Sequence, residues 1–144
     1  MDAPLLVVFD TNVLTAAARS RTGASYSLVS QIPSLHYRLV ISVGLYTEWL
    51  SVLTRPENIP QGRSSEDVIA FLRYLASEAH LQEIHFLWRP FLPDPRDDMV
   101  LELAFAAGSR YIITHNVKDF SGSEQLGIAA LTPREFLKIC RGIS

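Results

Sequence analysis

The first hydrophobic block, Leu5-Leu6-Val7-Val8-Phe9, is too short and too β-branched for a helix, and it stops abruptly at Asp10. It predicts a buried strand. Comparable blocks recur at Tyr37 to Ser42 (YRLVIS) and Tyr111 to Thr114 (YIIT), with a shorter one at Ile128 to Leu131. Ile84 to Trp88 (IHFLW) reads as a short or edge strand. Between these blocks the apolar residues fall three and four apart, the spacing of helices with one buried face. Helices are expected over Val13 to Ala18, about Ser25 to Ile32 (closed by Pro33), Val43 to Leu53 (capped by Ser42) and about Ser65 to Ser77. Two more follow: Met99 to Ala107, stopped by Gly108, and a terminal helix opened by the capping box Thr132-Pro133-Arg134-Glu135. Strands alternating with helices imply an α/β fold, a mainly parallel sheet sandwiched between helices. All 144 residues fit one domain, and no internal repeat is visible.

The informative positions are the polar ones that break this pattern. Asp10 stands where the first strand ends, on the edge of a parallel sheet where ligands bind because the departing loops open a crevice. Thr11 and Asn12 carry side-chain oxygens suited to capping the next helix, and taken alone Asp10, Thr11 and Asn12 read equally well as a turn and a cap. Glu48 interrupts the stripe Leu45, Trp49, Val52, Leu53, so it must neutralise, find a cation or sit at the stripe's border. Asp97 follows the rigid approach Pro93-Asp94-Pro95-Arg96 at a helix start, where, taken by itself, it reads first as an ordinary N-cap. Asn116 and Asp119 leave the C-terminal end of the YIIT strand. A right-handed parallel sheet brings these strand ends to one edge. Acids gathered there repel one another unless cations intervene, and hard divalent ions, Mg2+ or Mn2+, match an all-oxygen set. Such ions support phosphodiester hydrolysis.

Composition narrows the classes. The hydrophobic fraction is 48% and there is a single cysteine, Cys140, so no internal disulfide can form. The amino terminus shows no basic run before its apolar block, and a cytoplasmic protein without a membrane anchor is expected. His36, His80 and His85 have no second histidine or cysteine at a zinc spacing. A net charge of -2 does not advertise nucleic-acid binding. Setting three carboxylates aside for a cation leaves the rest slightly positive, however, and 11 of the 13 basic residues are arginines. Two of them, Arg19 and Arg21, lie in or beside the polar stretch ending at Gly23, which either meets a phosphate backbone or is simply solvated.

Three blocks together resemble a known family. LVVFDTNVL at Leu6 to Leu14, the acid within LYTEWLSVL at Leu45 to Leu53, and DPRDDMVLELAFAAGSRYIITHNVKDF at Asp94 to Phe120 look like the successive motifs of PIN-domain nucleases. The closest likeness is to toxins of bacterial toxin-antitoxin pairs, and it covers nearly the whole chain. The resemblance implies a three-layer α/β/α sandwich and a magnesium- or manganese-dependent endoribonuclease. It implies Asp10, Glu48 and Asp97 as the metal-binding and catalytic carboxylates, with Asp97 a better match than Asp98. Where the family often has a fourth acid, this chain has Asn116, a possible carbonyl ligand, with Asp119 three residues on as a weaker one. Thr11, Asn12 and Thr114 match positions that orient the acids by hydrogen bonds. The implied partners are an RNA substrate, a cognate antitoxin and a second copy of the chain in a homodimer.

Two other classes compete. A non-catalytic PIN-like module could bind RNA or protein after losing a second metal site through Asn116. An aspartate-dependent phosphatase also begins with a strand ending in aspartate, but needs an acid two residues on, where this chain has Asn12. Dinucleotide binding lacks its glycine-rich turn.

Overall fold

The computed structural model describes residues 3–85 and 90–142. Leu5–Phe9 forms β1, its last three residues fully buried as the apolar run requires. It is followed by α1 (Thr11–Arg19) and α2 (Ala24–Ser30), then β2 (Tyr37–Ile41) and α3 (Val43–Leu53). Ser42 caps α3 by accepting the Leu45 N–H at 3.1 Å. Next come α4 (Ser65–Glu78), opened by a Ser64/Asp67 capping box, and β3 (His80–Leu81). Helix α5 (Pro95–Ala107) ends at Gly108, whose φ of 68° is the left-handed conformation that halts a helix with least strain on glycine. The chain finishes through β4 (Tyr111–Ile113), β5 (Ala129–Leu131) and α6 (Pro133–Arg141), the last opened by the expected Thr132/Glu135 capping box.

The sheet is five-stranded and parallel, in the order β3-β2-β1-β4-β5, with helices packed on it as the α/β reading requires. Strand β1 is central: Leu5 registers with Tyr37 of β2 on one side, and Val7 with Tyr111 of β4 on the other. Helix α5 lies across β1, β2 and β4. It carries the chain from the β3 edge over to the far side of β1. This reversal of winding direction opens a crevice at the C-terminal ends of β1 and β4. The core around Val7, Val8, Phe9, Trp49, Leu101, Ile112 and Phe136 holds both strand ends rigidly beneath it.

Three expectations are corrected. The strand expected over Ile84 to Trp88 is absent at Ile84 and His85, while residues 86–88 lie outside those described. Pairing with β2 falls instead to His80 and Leu81, opposite Val40 and Ile41. Both are exposed at an edge, so they carry no apolar pattern to announce them. Helix α5 begins at Pro95, four residues before Met99, because Asp94-Pro95 supplies an N-cap followed by proline at the first helical position. Helix α1 begins at Thr11 because Asp10 itself is the N-cap, which frees the Thr11 and Asn12 side chains.

Candidate active site

Asp10 is fastened on every side. Its backbone N–H extends the β1–β4 ladder by donating to the Ile113 carbonyl at 2.9 Å. One carboxylate oxygen accepts the Thr11 N–H at 2.8 Å; the other accepts the Thr114 hydroxyl at 2.8 Å and the Asn12 amide at 3.3 Å. Thr114 is fully buried at the end of β4. Its oxygen also accepts from the Asn12 amide at 3.2 Å and the Asn116 N–H at 3.0 Å, while the Asn12 carbonyl oxygen accepts the His115 N–H at 3.1 Å. Asn12 thus ties the start of α1 to the loop leaving β4. It stands where a phosphatase of this type would need an acid.

Glu48 is half-buried, and the Thr11 hydroxyl donates to its carboxylate. A helix starting beside one strand therefore holds the acid of a helix that follows another. Asp97 lies in the first turn of α5, three residues after its N-cap. Its neighbour Asp98 does something different: it is buried and accepts the N–H groups of Phe91 at 3.0 Å and Leu92 at 2.9 Å through one oxygen. Asn116 and Asp119 are both exposed, at the start of and within the short 3-10 turn Val117–Phe120.

The acids feel one another's charge. Burial raises the Asp10 carboxyl above its usual range, the Thr114 and Thr11 hydrogen bonds oppose this, and the negative charges of Glu48 and Asp119 raise it further. Asp97 is pushed up to about 6, first by burial and then by the charges of Asp94, Asp10 and Asp119, against the pull of Arg96. Asp119, the weakest candidate in the sequence, thus belongs electrostatically with Asp10 and Asp97. Among the described residues none of Asp10, Glu48, Asp97 and Asp119 forms an ion pair with a lysine or arginine.

The donor set suits a hard divalent cation: carboxylate oxygens, partly desolvated, mutually repelling and, among the described residues, in no ion pair with a base. No three His, Cys, Asp or Glu side chains among the described residues converge as a ready-made metal cage. The two arginines at and after the end of α1 differ in their surroundings. Arg19 donates to the Asn58 amide oxygen at 3.0 Å, and Arg21 lines an apolar groove of about 450 Å³ bordered by α1, α2 and α4. Sequence reading missed both the Thr11–Glu48 bond and a bond between Ser25 and His115. These link residues far apart in the chain, and no local pattern marks them.

A family model described as "PIN domain" matches residues 6–118. No curated protein matches the chain. Among solved structures, VapBC-1 from nontypeable Haemophilus influenzae is similar with a TM-score of 0.58 and 18% identity, over 90% of this chain and 99% of that one. VapBC2 from Rickettsia felis, bound to a DNA fragment from their promoter, gives a TM-score of 0.58 and 12% identity over 88% and 97%. At such identities the likeness is one of fold. The matched region contains Asp10, Glu48, Asp97 and Asn116, and stops one residue before Asp119.

Proposed function

The chain belongs to the PIN-domain family, and from that premise we propose that it is a divalent-metal-dependent endoribonuclease, the toxin of a type II toxin-antitoxin pair. The observation that carries this reading is the group of mutually repelling acids, Asp10, Glu48, Asp97 and Asp119, none of them in an ion pair with a lysine or arginine among the described residues. Uncompensated carboxylates cost stability unless a cation is part of the working protein.

Asp10, Glu48 and Asp97 would hold Mg2+ or Mn2+, with Asn116 and Asp119 as further oxygen donors. Such an ion, when bound, activates water and offsets the charge of a phosphodiester. The chain's own residues do the positioning. Thr114, Asn12 and the Thr11 N–H fix both oxygens of Asp10, and the Thr11 hydroxyl fixes Glu48. These supporting bonds set the acids' directions before any ion arrives.

The partner is proposed to be an antitoxin, supported by the likeness in fold to VapBC assemblies. The groove containing Leu14, Ala17, Val29, Val68 and Phe71 suits the apolar face of an amphipathic helix. Light scattering of the co-expressed pair is expected to show a complex built on a dimer of this chain.

The direct test is cleavage of a mixed panel of labelled single-stranded RNAs with manganese, magnesium or chelator, comparing wild-type protein with Asp10→Asn purified identically. Metal-dependent cutting by wild type that is lost in the variant is expected. Equal cutting by both would sink the assignment. Asn116 and the absence of a preassembled cage among the described residues favour a second reading, the non-catalytic module that binds RNA or protein. Manganese calorimetry separates the two: the nuclease binds metal stoichiometrically and turns over, whereas the module binds it feebly or without turnover.

A further inference from the structure

The loop leaving β4 carries a histidine that the acids do not use. His115 is exposed, yet its ring is held: Nε2 lies 2.7 Å from the hydroxyl of Ser25 near the start of α2, a residue only 3% exposed. Its backbone N–H is held as well, by the Asn12 carbonyl oxygen at 3.1 Å. An exposed side chain ordinarily samples several rotamers, and ordering it costs entropy. Here the buried Ser25 hydroxyl holds the ring itself, and the Asn12 side-chain amide holds the backbone that carries it. Its neighbours in the chain are Thr114, which holds the Asp10 carboxylate, and Asn116. The result is an immobilised aromatic ring with one edge tied down, at the rim of the acidic crevice.

The surroundings choose its ligand. A phosphate brought to this ring would enter the field of Asp10, Asp97 and Asp119, whereas the neutral face of a base would not be repelled. Unpaired bases stack on histidine as on other aromatic side chains, and stacking needs neither a particular tautomer nor a charge. We propose that His115 is a nucleobase platform, on which one unpaired base of single-stranded RNA stacks beside the scissile phosphate, with Ser25 as its positioning residue. This rests on the nuclease reading above and adds to it the site that orders the substrate.

The test uses the full chain carrying Asp10→Asn, which binds without cutting, and a single-stranded RNA containing the fluorescent base 2-aminopurine. His115→Ala in that background is expected to weaken binding about tenfold and to abolish the fluorescence quenching that stacking produces. His115→Phe, which keeps a flat face and loses the Ser25 bond, is expected to restore part of both and to fall short of histidine because nothing then orients the ring. In otherwise wild-type protein, His115→Ala is expected to raise KM about tenfold while kcat stays within about twofold. A merely structural tether would instead make His115→Phe as defective as His115→Ala and leave quenching untouched, and either result overturns the platform. If Asp10→Asn protein binds RNA and His115→Ala binds it equally well, the inference alone falls. If wild-type protein with manganese neither binds nor cuts any RNA of the panel, the nuclease reading falls with it.

Discussion

Asp98 accepts two backbone N–H groups from Phe91 and Leu92, while Asp97 beside it makes no comparable bond among the described residues and is raised to about 6 by burial and neighbouring charge. Adjacent, chemically identical side chains therefore carry different loads. Asp98→Ala would orphan both N–H groups, one of them on buried Leu92, at a cost of about 2 kcal/mol. Asp97→Asn removes a charge that its neighbours oppose, so the metal-free protein should melt no lower near neutral pH while RNA cleavage is lost. Thermal denaturation and cleavage assays on the two variants check this, and a stability loss in Asp97→Asn comparable to that of Asp98→Ala would refute the division. The sequence motif favours Asp97 by its distance from Gly108, but it contains nothing about Phe91 and Leu92. What Asp98 does is visible only because the approach to α5 folds back over it.

Helices α3 and α5 carry Glu48 and Asp97, and they meet closely where a Cβ built on Gly44 would lie 3.0 Å from the Met99 sulfur. Gly44→Ala gains helix propensity but requires the Met99 side chain on α5 to give way by a few tenths of an ångström. It is expected to change the melting temperature little and to lower cleavage, with Met99→Ala in the same chain restoring it; unaltered cleavage in the single variant would show that this contact does not set the acids' spacing. The boundaries of these elements were partly legible beforehand. Val43 to Leu53 and its Ser42 cap read off directly, since capping and apolar spacing are local. The α5 start did not, because Asp94-Pro95 looks like a rigid loop until its helical dihedrals are seen. Strand β3 was misplaced for a related reason: an exposed two-residue edge strand is defined by its partner Val40-Ile41 and not by its own hydrophobicity.

The strand order places β1 in the middle and the winding reversal between β1 and β4, so Asp10 and Thr114, 104 residues apart, meet as a hydrogen-bonded pair. An electrostatic consequence belongs to the whole fold. The Asp97 carboxyl is raised from 3.8 to about 6, so the metal-free fold holds a proton that the unfolded chain has lost. This group's stabilising contribution is complete below about pH 4 and disappears as pH rises through about 6. A divalent ion must displace that proton, so manganese should raise the melting temperature little at about pH 5 and distinctly more at about pH 7.5. Equal shifts at both pH values would exclude Asp97 from metal binding. The chain's local patterns were sufficient for the α/β class, most helices, the central strand and the positions of the acids, because propensity, capping and apolar periodicity act over a few residues. They were silent on the Thr11–Glu48 and Ser25–His115 bonds, on the coupling of exposed Asp119 to Asp10 and Asp97, and on the task of Asp98. Those depend on which strand ends and helix starts come together, and contacts across tens of residues leave no periodic trace in the chain that makes them.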